Sequence, residues 1–172
     1  MYILALDLST KASGFAIYED KKLIDYGCIT AASSNLFNRI DKMIEELTKI
    51  LQKYKFDCVY IEDVFPEDVH NNRNVFDALK YLQGYVLHLL NDFKLKHIFY
   101  TASEWRAKCG IHTGRGIKRE SLKPQDIAFV KRQFGLNVND DIADAICIGY
   151  AAVGGSPRLD TIEKTADGFE FG

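Results

Sequence analysis

The chain has 172 residues, of which 47% are hydrophobic and 27% are charged, a composition typical of one soluble globular domain that buries its own core. Its formal net charge of -2 argues against bulk electrostatic attraction to nucleic acid, although a local basic cluster would still allow binding. The 4 cysteines lack the spacing of zinc ligands and are expected to be reduced thiols, and no segment resembles a signal peptide or a membrane span, so a cytoplasmic location is expected.

The apolar run that begins at Tyr2 predicts a buried first strand, and Asp7 interrupts this run near its end. A carboxylate in that position must be capped, neutralised or bound to a cation, because burying an unpaired charge is costly. Two interpretations remain open for this residue. Asp7, Ser9 and Thr10 could form a hydrogen-bonded turn that leads to Gly14, or the carboxylate could belong to a metal or phosphate site.

Two more strands are predicted over residues 14–18 and 23–29, joined by the polar turn at residues 19–22. The chain therefore opens with a three-stranded antiparallel meander. Apolar residues at helical spacing follow and predict an amphipathic helix capped by Ser33 or Ser34.

Residues 58–61 predict a short strand that ends in Glu62 and Asp63. A strand-helix-strand crossover makes this strand parallel to the first one, so Asp7 and Glu62 are expected at the same edge of the sheet. Open α/β sheets bind their ligands at that edge. The alternative is that Glu62 merely begins a solvated loop.

A polar loop at residues 65–73 precedes a helix predicted over residues 74–93. This helix is apolar around much of its circumference, which indicates either a broad core stripe or a second partner such as another copy of the chain. Residues 97–100 predict a fifth strand, and Thr101 or Ser103 is expected to cap a short helix after it.

The segment from residue 109 to residue 134 is the basic stretch of the sequence. Glycines predict a flexible loop in its first part, and Pro124 after Lys123 predicts the start of a helix. A solvated charged face is the usual meaning of such a segment, but the glycines and the acidic motif that follows favour contact with phosphate. Its basic residues are Arg115, Lys118, Arg119, Lys123, Lys131 and Arg132.

An acidic motif opens the last predicted helix, which begins after Asn139. Capping by Asn139 and the helix dipole account for Asp140 and Asp141 in the first turn. They do not account for Asp144, which precedes an apolar run. Residues three apart share a helix face, so Asp141 and Asp144 are expected to point the same way and Asp140 elsewhere.

Carboxylates gathered at one place repel each other and raise each other's pKa values unless hard divalent cations lie between them. Mg²⁺ prefers oxygen ligands, and two ions about 3.5–4 Å apart suit a set of carboxylates that also binds a phosphate. One ion would activate a water and the other would stabilise the leaving oxygen. The residues that combine in this way are Asp7, Glu62, Asp141 and Asp144, and together they predict phosphodiester hydrolysis.

These elements resemble the RuvC family of Holliday junction resolvases, within the RNase H-like superfamily, over about residues 1–152. The resemblance is most specific at residues 4–9, 61–65 and 141–145. It implies an α/β fold with an RNase H-like mixed five-stranded sheet, an antiparallel meander followed by parallel strands, flanked by helices. The nuclease domain is then expected over residues 1–153, followed by a polar C-terminal tail over residues 154–172.

The resemblance also implies a homodimer that cuts four-way junctions, and other branched DNA, by paired nicks. Asp7, Glu62, Asp141 and Asp144 become its catalytic and metal-binding residues, with two Mg²⁺ ions for which Mn²⁺ could substitute. An aromatic residue would enter the junction and basic residues would contact the DNA. The expected DNA-binding residues are Phe65, Arg73, Arg106, Arg115, Lys118, Arg119 and Lys123.

The loop at residues 65–76 departs from the bacterial pattern and is closer to the phage-encoded branch of the family, whose members can be less selective among branched DNAs. Three other functions compete with resolution. The motif from Asp7 to Thr10 also resembles the phosphate loop of actin-like ATPases and sugar kinases, but those enzymes close two such domains around a nucleotide. A nuclease acting on RNA or an RNA–DNA hybrid would use the same carboxylates, and a junction-binding protein would not cut.

Overall fold

Five strands form one mixed sheet in the computed structural model, which describes residues 1–114 and 116–154, without the side chain of Arg119. The sheet order is β3-β2-β1-β4-β5. The first three strands are antiparallel neighbours, whereas β4 runs parallel to both β1 and β5. This topology confirms the predicted fold. The strands are β1 (Tyr2–Asp7), β2 (Ala12–Glu19), β3 (Lys22–Thr30), β4 (Cys58–Glu62) and β5 (Lys96–Tyr100).

Helices cover both faces of the sheet. They are α1 (Leu36–Lys53), α2 (Arg73–Asp92), α3 (Ala102–Lys108), α4 (Arg119–Phe134) and α5 (Asp140–Ala152), with a short 3₁₀ turn at Pro66–Val69. None of the helices in the described parts of the chain has the length and apolar character needed to cross a membrane. The cysteines Cys28, Cys58, Cys109 and Cys147 are all free thiols, as predicted.

Alternation along the strands divides the core into two layers. Ile3 and Ala5 of β1 pack beneath α3, α4 and α5, while Leu4 and Leu6 pack against α1 and α2. Asp7 has the parity of Ile3 and Ala5 and therefore lies on the α5 side of the sheet. In β4, Val59 and Ile61 belong to the α1 and α2 layer, so Glu62 also lies on the α5 side.

The observed helix caps agree only in part with the caps that the sequence predicts. Asn139 caps α5, with its side-chain oxygen accepting a hydrogen bond from the backbone N–H of Ile142 at 3.0 Å, and Thr101 caps α3. The predicted cap of α1 at Ser33 or Ser34 is wrong, because the side chain of Asn35 accepts the bond from the backbone N–H of Asn38 at 3.1 Å. Ser33 instead accepts a hydrogen bond from the backbone N–H of Asn35 at 3.2 Å.

The predicted start of a helix at Lys123 and Pro124 is also wrong. Helix α4 begins at Arg119, so Pro124 lies inside it and cannot donate a backbone hydrogen bond to the preceding turn. Leu122, in the turn ahead of the proline, is buried in the layer formed by α3, α4 and α5. We infer that this tertiary burial offsets the lost backbone bond, which a local reading of the proline could not detect.

Candidate active site

The two central parallel strands end side by side in carboxylates. Leu6 of β1 is in register with Ile61 of β4, so the next residues, Asp7 and Glu62, leave the sheet together. Both side chains lie on the α5 face of the sheet, as their strand parity requires. The edge that the sequence predicts for these two acids is therefore the edge at which they lie.

A glycine on the neighbouring strand lets α5 approach this edge. Gly14 of β2 is in register with Asp7, and a Cβ placed on Gly14 would lie 1.9 Å from the carbonyl oxygen of Asp141. No side chain fits in that space, so the first turn of α5 packs directly on the backbone of β2. Close approach of two backbones thus brings the acidic helix next to Asp7.

All four predicted acids line one cavity of about 560 Å³: Asp7, Glu62, Asp141 and Asp144. Asp140 is absent from its lining, and its carboxylate instead accepts a hydrogen bond from the Lys123 ammonium group. This division follows the three-residue spacing that places Asp141 and Asp144 on one face of α5. The cavity lies at the carboxyl ends of β1 and β4, where Asp7 and Glu62 line it.

Burial and mutual repulsion act together on Asp144. The residue is 6% exposed, and burial raises the pKa of its carboxyl well above the usual range, with the nearby charges of Asp7, Asp126 and Glu62 raising it further. Its Oδ1 atom is buried and has no hydrogen-bond partner among the described residues. An unpartnered buried carboxylate oxygen is costly, which indicates that a cation or a hydrogen-bond donor normally meets it.

The pKa values of the other two acids of α5, Asp140 and Asp141, shift in opposite directions. Burial raises the pKa of Asp141, and the charge of Asp140 adds to this effect. The hydrogen bond from Lys123 lowers the pKa of Asp140 and keeps that carboxylate ionised. The first turn of α5 therefore holds one carboxylate that pairs directly with Lys123 and one whose pKa is raised even though the charge of Lys123 acts to lower it.

The carboxylate oxygens at this cavity suit a hard divalent cation as ligands. Within the described ranges, no three His, Cys, Asp or Glu side chains lie close enough to enclose a metal ion by themselves. Mg²⁺ does not require such an enclosure, because it is usually bound through one or two carboxylates while waters and substrate phosphates complete its shell. The carboxylates around the cavity and the unpartnered oxygen of Asp144 fit an ion bound in this way.

Arg106 does not lie on the surface where a DNA contact would require it. Its side chain is 5% exposed and forms a two-pronged ion pair with Asp126, with N–O distances of 3.1 and 2.7 Å. Asp126 is fully buried. The expectation of a DNA contact at Arg106 is therefore corrected to an interior ion pair, since α4 supplies a carboxylate 20 residues away that fixes the guanidinium inside.

Of the remaining predicted DNA-binding residues, four have described side chains and two do not. Lys123 lines the cavity, while Lys118 is exposed at the start of α4. Phe65 is 46% exposed, and Arg73 begins α2 beside Asp77, 3.5 Å away. Arg115 lies outside the described residues, as does the side chain of Arg119.

Sequence reasoning missed several polar residues of this cavity. Lys11, Arg39, Asn72 and Asn74 also line it. The Arg39 guanidinium donates hydrogen bonds to the carbonyl oxygens of Ser33 and Ser34, at 2.8 and 3.1 Å, and thereby fastens the loop before α1. In the sequence Arg39 is indistinguishable from the other charges on the polar face of an amphipathic helix.

Comparison with known proteins agrees with this architecture. The family model described as crossover junction endodeoxyribonuclease RuvC matches residues 3–152. Among curated relatives, the RuvC protein of Ehrlichia ruminantium strain Welgevonden is 31% identical over 162 residues, covering 88% of this chain and 98% of the relative. That of Campylobacter concisus strain 13826 is 32% identical, covering 86% of this chain and 93% of the relative.

Solved structures share the fold at low sequence identity. Thermus thermophilus RuvC in complex with a Holliday junction substrate matches with a TM-score of 0.72 and 12% identity, covering 90% of this chain and 94% of that one. The Fowlpox virus resolvase, crystallised with substrate Holliday junction DNA, matches with a TM-score of 0.57 and 16% identity, covering 89% and 97%.

Proposed function

The chain belongs to the RuvC family of crossover junction endodeoxyribonucleases, and we propose that it resolves four-way DNA junctions by hydrolysing phosphodiester bonds. The observation that carries this proposal is the shared cavity at the carboxyl ends of β1 and β4, which the four acids Asp7, Glu62, Asp141 and Asp144 line. The expected place of action is the cytoplasm of a bacterium or of a phage-infected cell, where such DNA is found.

Family membership implies dependence on a divalent metal ion. We propose that Asp7, Glu62, Asp141 and Asp144 hold it, with two Mg²⁺ ions as the expected complement and Mn²⁺ as a substitute. Bound there, divalent ions supply a Lewis acid for the phosphate and lower the pKa of a coordinated water. The unpartnered Oδ1 of Asp144 and the raised pKa values of Asp141 and Asp144 support this role.

Basic and aromatic residues beside the cavity supply the proposed DNA contacts. Lys123 lines the cavity and can exchange its bond with Asp140 for one with a DNA phosphate. Lys118 is exposed at the start of α4. Phe65, exposed in the loop after β4, is the proposed aromatic residue that enters the junction. Arg73, Arg115 and Arg119 complete the proposed DNA-binding residues.

A homodimer is proposed because paired nicks across a four-way junction require two active sites. Helix α2 supports it by exposing two aromatic side chains, Tyr81 at 53% and Tyr85 at 47%. Phe37, 52% exposed, lies beside Tyr81 with ring centroids 6.2 Å apart. Sedimentation should give a dimer for the wild type and a monomer for Tyr81→Glu with Tyr85→Glu; a monomeric wild type would contradict the proposal.

A panel of substrates tests the function directly. Purified protein would be incubated with a four-way junction, a fork, plain duplex DNA and an RNA–DNA hybrid, each with Mg²⁺, Mn²⁺ or EDTA. We expect paired nicks in the junction with either metal, weaker nicking of the fork, and none in EDTA. Preferred cleavage of the hybrid would favour an RNA-directed nuclease, and tight junction binding without cleavage would favour a non-cutting protein.

One result would contradict the proposed dependence on metal ions. Cleavage that persists in EDTA would remove the proposed metal chemistry while leaving the fold and family unaffected. The ratio of junction to fork cleavage also tests the expectation, based on residues 65–76, that selectivity among branched DNAs is relaxed.

A further inference from the structure

The chain's single tryptophan contacts one of the proposed metal ligands. The indole N–H of Trp105 donates a hydrogen bond to Oε2 of Glu62 at 2.7 Å. Trp105 is fully buried and Glu62 is 5% exposed, so the bond forms away from bulk water. A short bond to a charged acceptor in a buried site is among the stronger protein hydrogen bonds.

The local structure at the start of α3 restricts the orientation of the Trp105 indole ring. Glu62 is in register with Tyr100, the last residue of β5, and the next residue, Thr101, caps α3. Thr101 and Glu104 bond reciprocally, with the Thr101 backbone N–H donating to Glu104 at 2.7 Å, which fixes the first turn of the helix. Trp105 follows in that turn and so extends across the end of β4.

The next residue of α3 lies against the face of the indole ring and is itself anchored by α4. The Arg106 guanidinium lies 4.2 Å from the Trp105 ring centroid, and Asp126 of α4 anchors that guanidinium through two nitrogen atoms. Glu62, Trp105, Arg106 and Asp126 therefore form a continuous buried series of contacts from β4 to α4. This series gives Arg106 a structural reason to be inside the protein.

We propose that Trp105 is a positioning residue that fixes the orientation of the Glu62 carboxylate for binding a divalent cation. The proposal rests on the proposed role of Glu62 as a metal ligand. Residues that hydrogen-bond a metal ligand restrict its rotation, and losing them commonly weakens metal binding by about 10- to 100-fold.

An indole suits this task better than a cationic side chain. It donates one N–H and accepts nothing, so it occupies one of the roughly four acceptor positions of a carboxylate and leaves capacity for a metal ion. It carries no net charge, so it does not repel a cation as a lysine in the same place would. The buried contact with Arg106, which Asp126 of α4 anchors, keeps the indole donor in place.

The test measures metal binding rather than cleavage. The dissociation constant for Mn²⁺ would be measured by electron paramagnetic resonance on wild type and Trp105→Phe, which keeps an aromatic ring but loses the N–H. We expect Mn²⁺ binding about 10- to 100-fold weaker in the variant. Junction nicking should recover toward the wild-type rate at high Mn²⁺, because the ligands themselves are intact.

An isosteric replacement separates the hydrogen bond from packing. Because the sequence has a single tryptophan, incorporating 3-benzothienylalanine in place of tryptophan changes this position only, and its sulfur replaces the N–H at nearly the same ring size. Tyr18→Phe is the matched control, since the Tyr18 hydroxyl donates a buried 2.8 Å hydrogen bond to the Ile146 carbonyl and contacts none of the four acids. We expect weaker Mn²⁺ binding in the isostere and none of this loss in Tyr18→Phe.

The outcomes distinguish this inference from the proposed function. Unchanged Mn²⁺ affinity in the isostere, together with a large loss in Glu62→Ala, would overturn the role of Trp105 and leave the metal site intact. Unchanged affinity in Glu62→Ala would overturn both. A loss in Tyr18→Phe as large as in the isostere would mean that any buried defect weakens metal binding, which would also overturn the inference.

Discussion

Gly14 and Asp141 lie so close that the backbone of β2 contacts the first turn of α5 directly, with 1.9 Å between the position of a Cβ on Gly14 and the Asp141 carbonyl oxygen. The same glycine is in register with Asp7. One residue without a side chain thus sets how closely α5, which carries Asp141 and Asp144, approaches the strand that pairs with Asp7. The candidate site depends on this backbone contact as well as on its carboxylates.

Gly14→Ala should therefore damage both stability and the site. The new methyl group must displace α5 from β2, and overpacking of this kind costs about 1–3 kcal/mol in unfolding free energy. We expect lower stability in urea and weaker Mn²⁺ binding. Gly84→Ala is the control, because a Cβ on Gly84 meets no atom within 4 Å and should leave Mn²⁺ affinity unchanged. Wild-type stability and metal affinity in Gly14→Ala would contradict this account.

Asp7→Asn should abolish junction nicking while junction binding persists. Asparagine keeps the size of the side chain but removes the charge that a divalent cation requires, and it also removes one repulsion toward DNA phosphates. Nicking assays and electrophoretic mobility shifts would measure the two properties separately. Asp20→Asn changes an exposed acid that pairs with the amino terminus at 2.7 Å, so it should nick normally. Wild-type nicking by Asp7→Asn would reject its assignment to the site.

Lys118→Ala should weaken junction binding and reduce its dependence on salt. A lysine that contacts a phosphate releases about one counterion, so its loss lowers the slope of log K against log salt by about 1. Lys118 is exposed at the start of α4, whereas the control residue Lys21 is exposed in the turn between β2 and β3, at the other end of β2 from Gly14. Binding titrations from low to moderate salt would measure both slopes. Equal slopes for Lys118→Ala and wild type would exclude a phosphate contact at Lys118.

Local patterns are sufficient to predict the strands, the opening antiparallel meander and the shared edge of Asp7 and Glu62. The alternation of buried and exposed residues along a strand involves residues that are close together in the sequence. So does the strand-helix-strand pattern that predicts parallel strands, and both can therefore be recognised in a single sequence. The cap at Asn139 was predictable for the same reason.

Long-range contacts account for the errors at Trp105 and Arg106. Trp105 reaches Glu62 across 43 positions of sequence, and Asp126 reaches Arg106 across 20. No periodicity records such pairings, so the sequence patterns predict no role for Trp105 and place Arg106 on the surface. Helix α4 begins at Arg119, ahead of the start that Pro124 indicates, and we infer that the burial of Leu122 offsets the backbone bond that the proline lacks.

Asp144→Asn should stabilise the metal-free protein while removing its response to metal. The wild-type carboxylate is buried with an unpartnered oxygen, so ionising it costs free energy that the neutral amide does not incur. Urea unfolding in EDTA near pH 7 should show a more stable variant, and a gain of about 1 kcal/mol corresponds to roughly 2–4 °C in Tm. Adding Mn²⁺ should stabilise the wild type much more than the variant.

The difference in unfolding free energy between Asp144→Asn and the wild type should depend on pH, because the pKa of Asp144 differs between the folded and unfolded protein. Burial, followed by the charges of Asp7, Asp126 and Glu62, raises this pKa in the folded protein, so the native state holds the proton more tightly than the unfolded chain. This contribution to stability is fully present below the pKa of the unfolded residue and is lost as pH rises through the raised folded pKa. The advantage of Asp144→Asn in EDTA should therefore grow with pH above about 4 and then level off.

Asp41→Asn, at an exposed position of α1, is the control and should show no such trend. A stability difference between Asp144→Asn and wild type that stays constant across pH, or that favours the wild type in EDTA, would mean that Asp144 is not a strained buried carboxylate. A variant that gains as much stability from Mn²⁺ as the wild type would remove Asp144 from the proposed metal ligands. Urea titrations at several pH values, each with EDTA and with Mn²⁺, decide both points on the same samples.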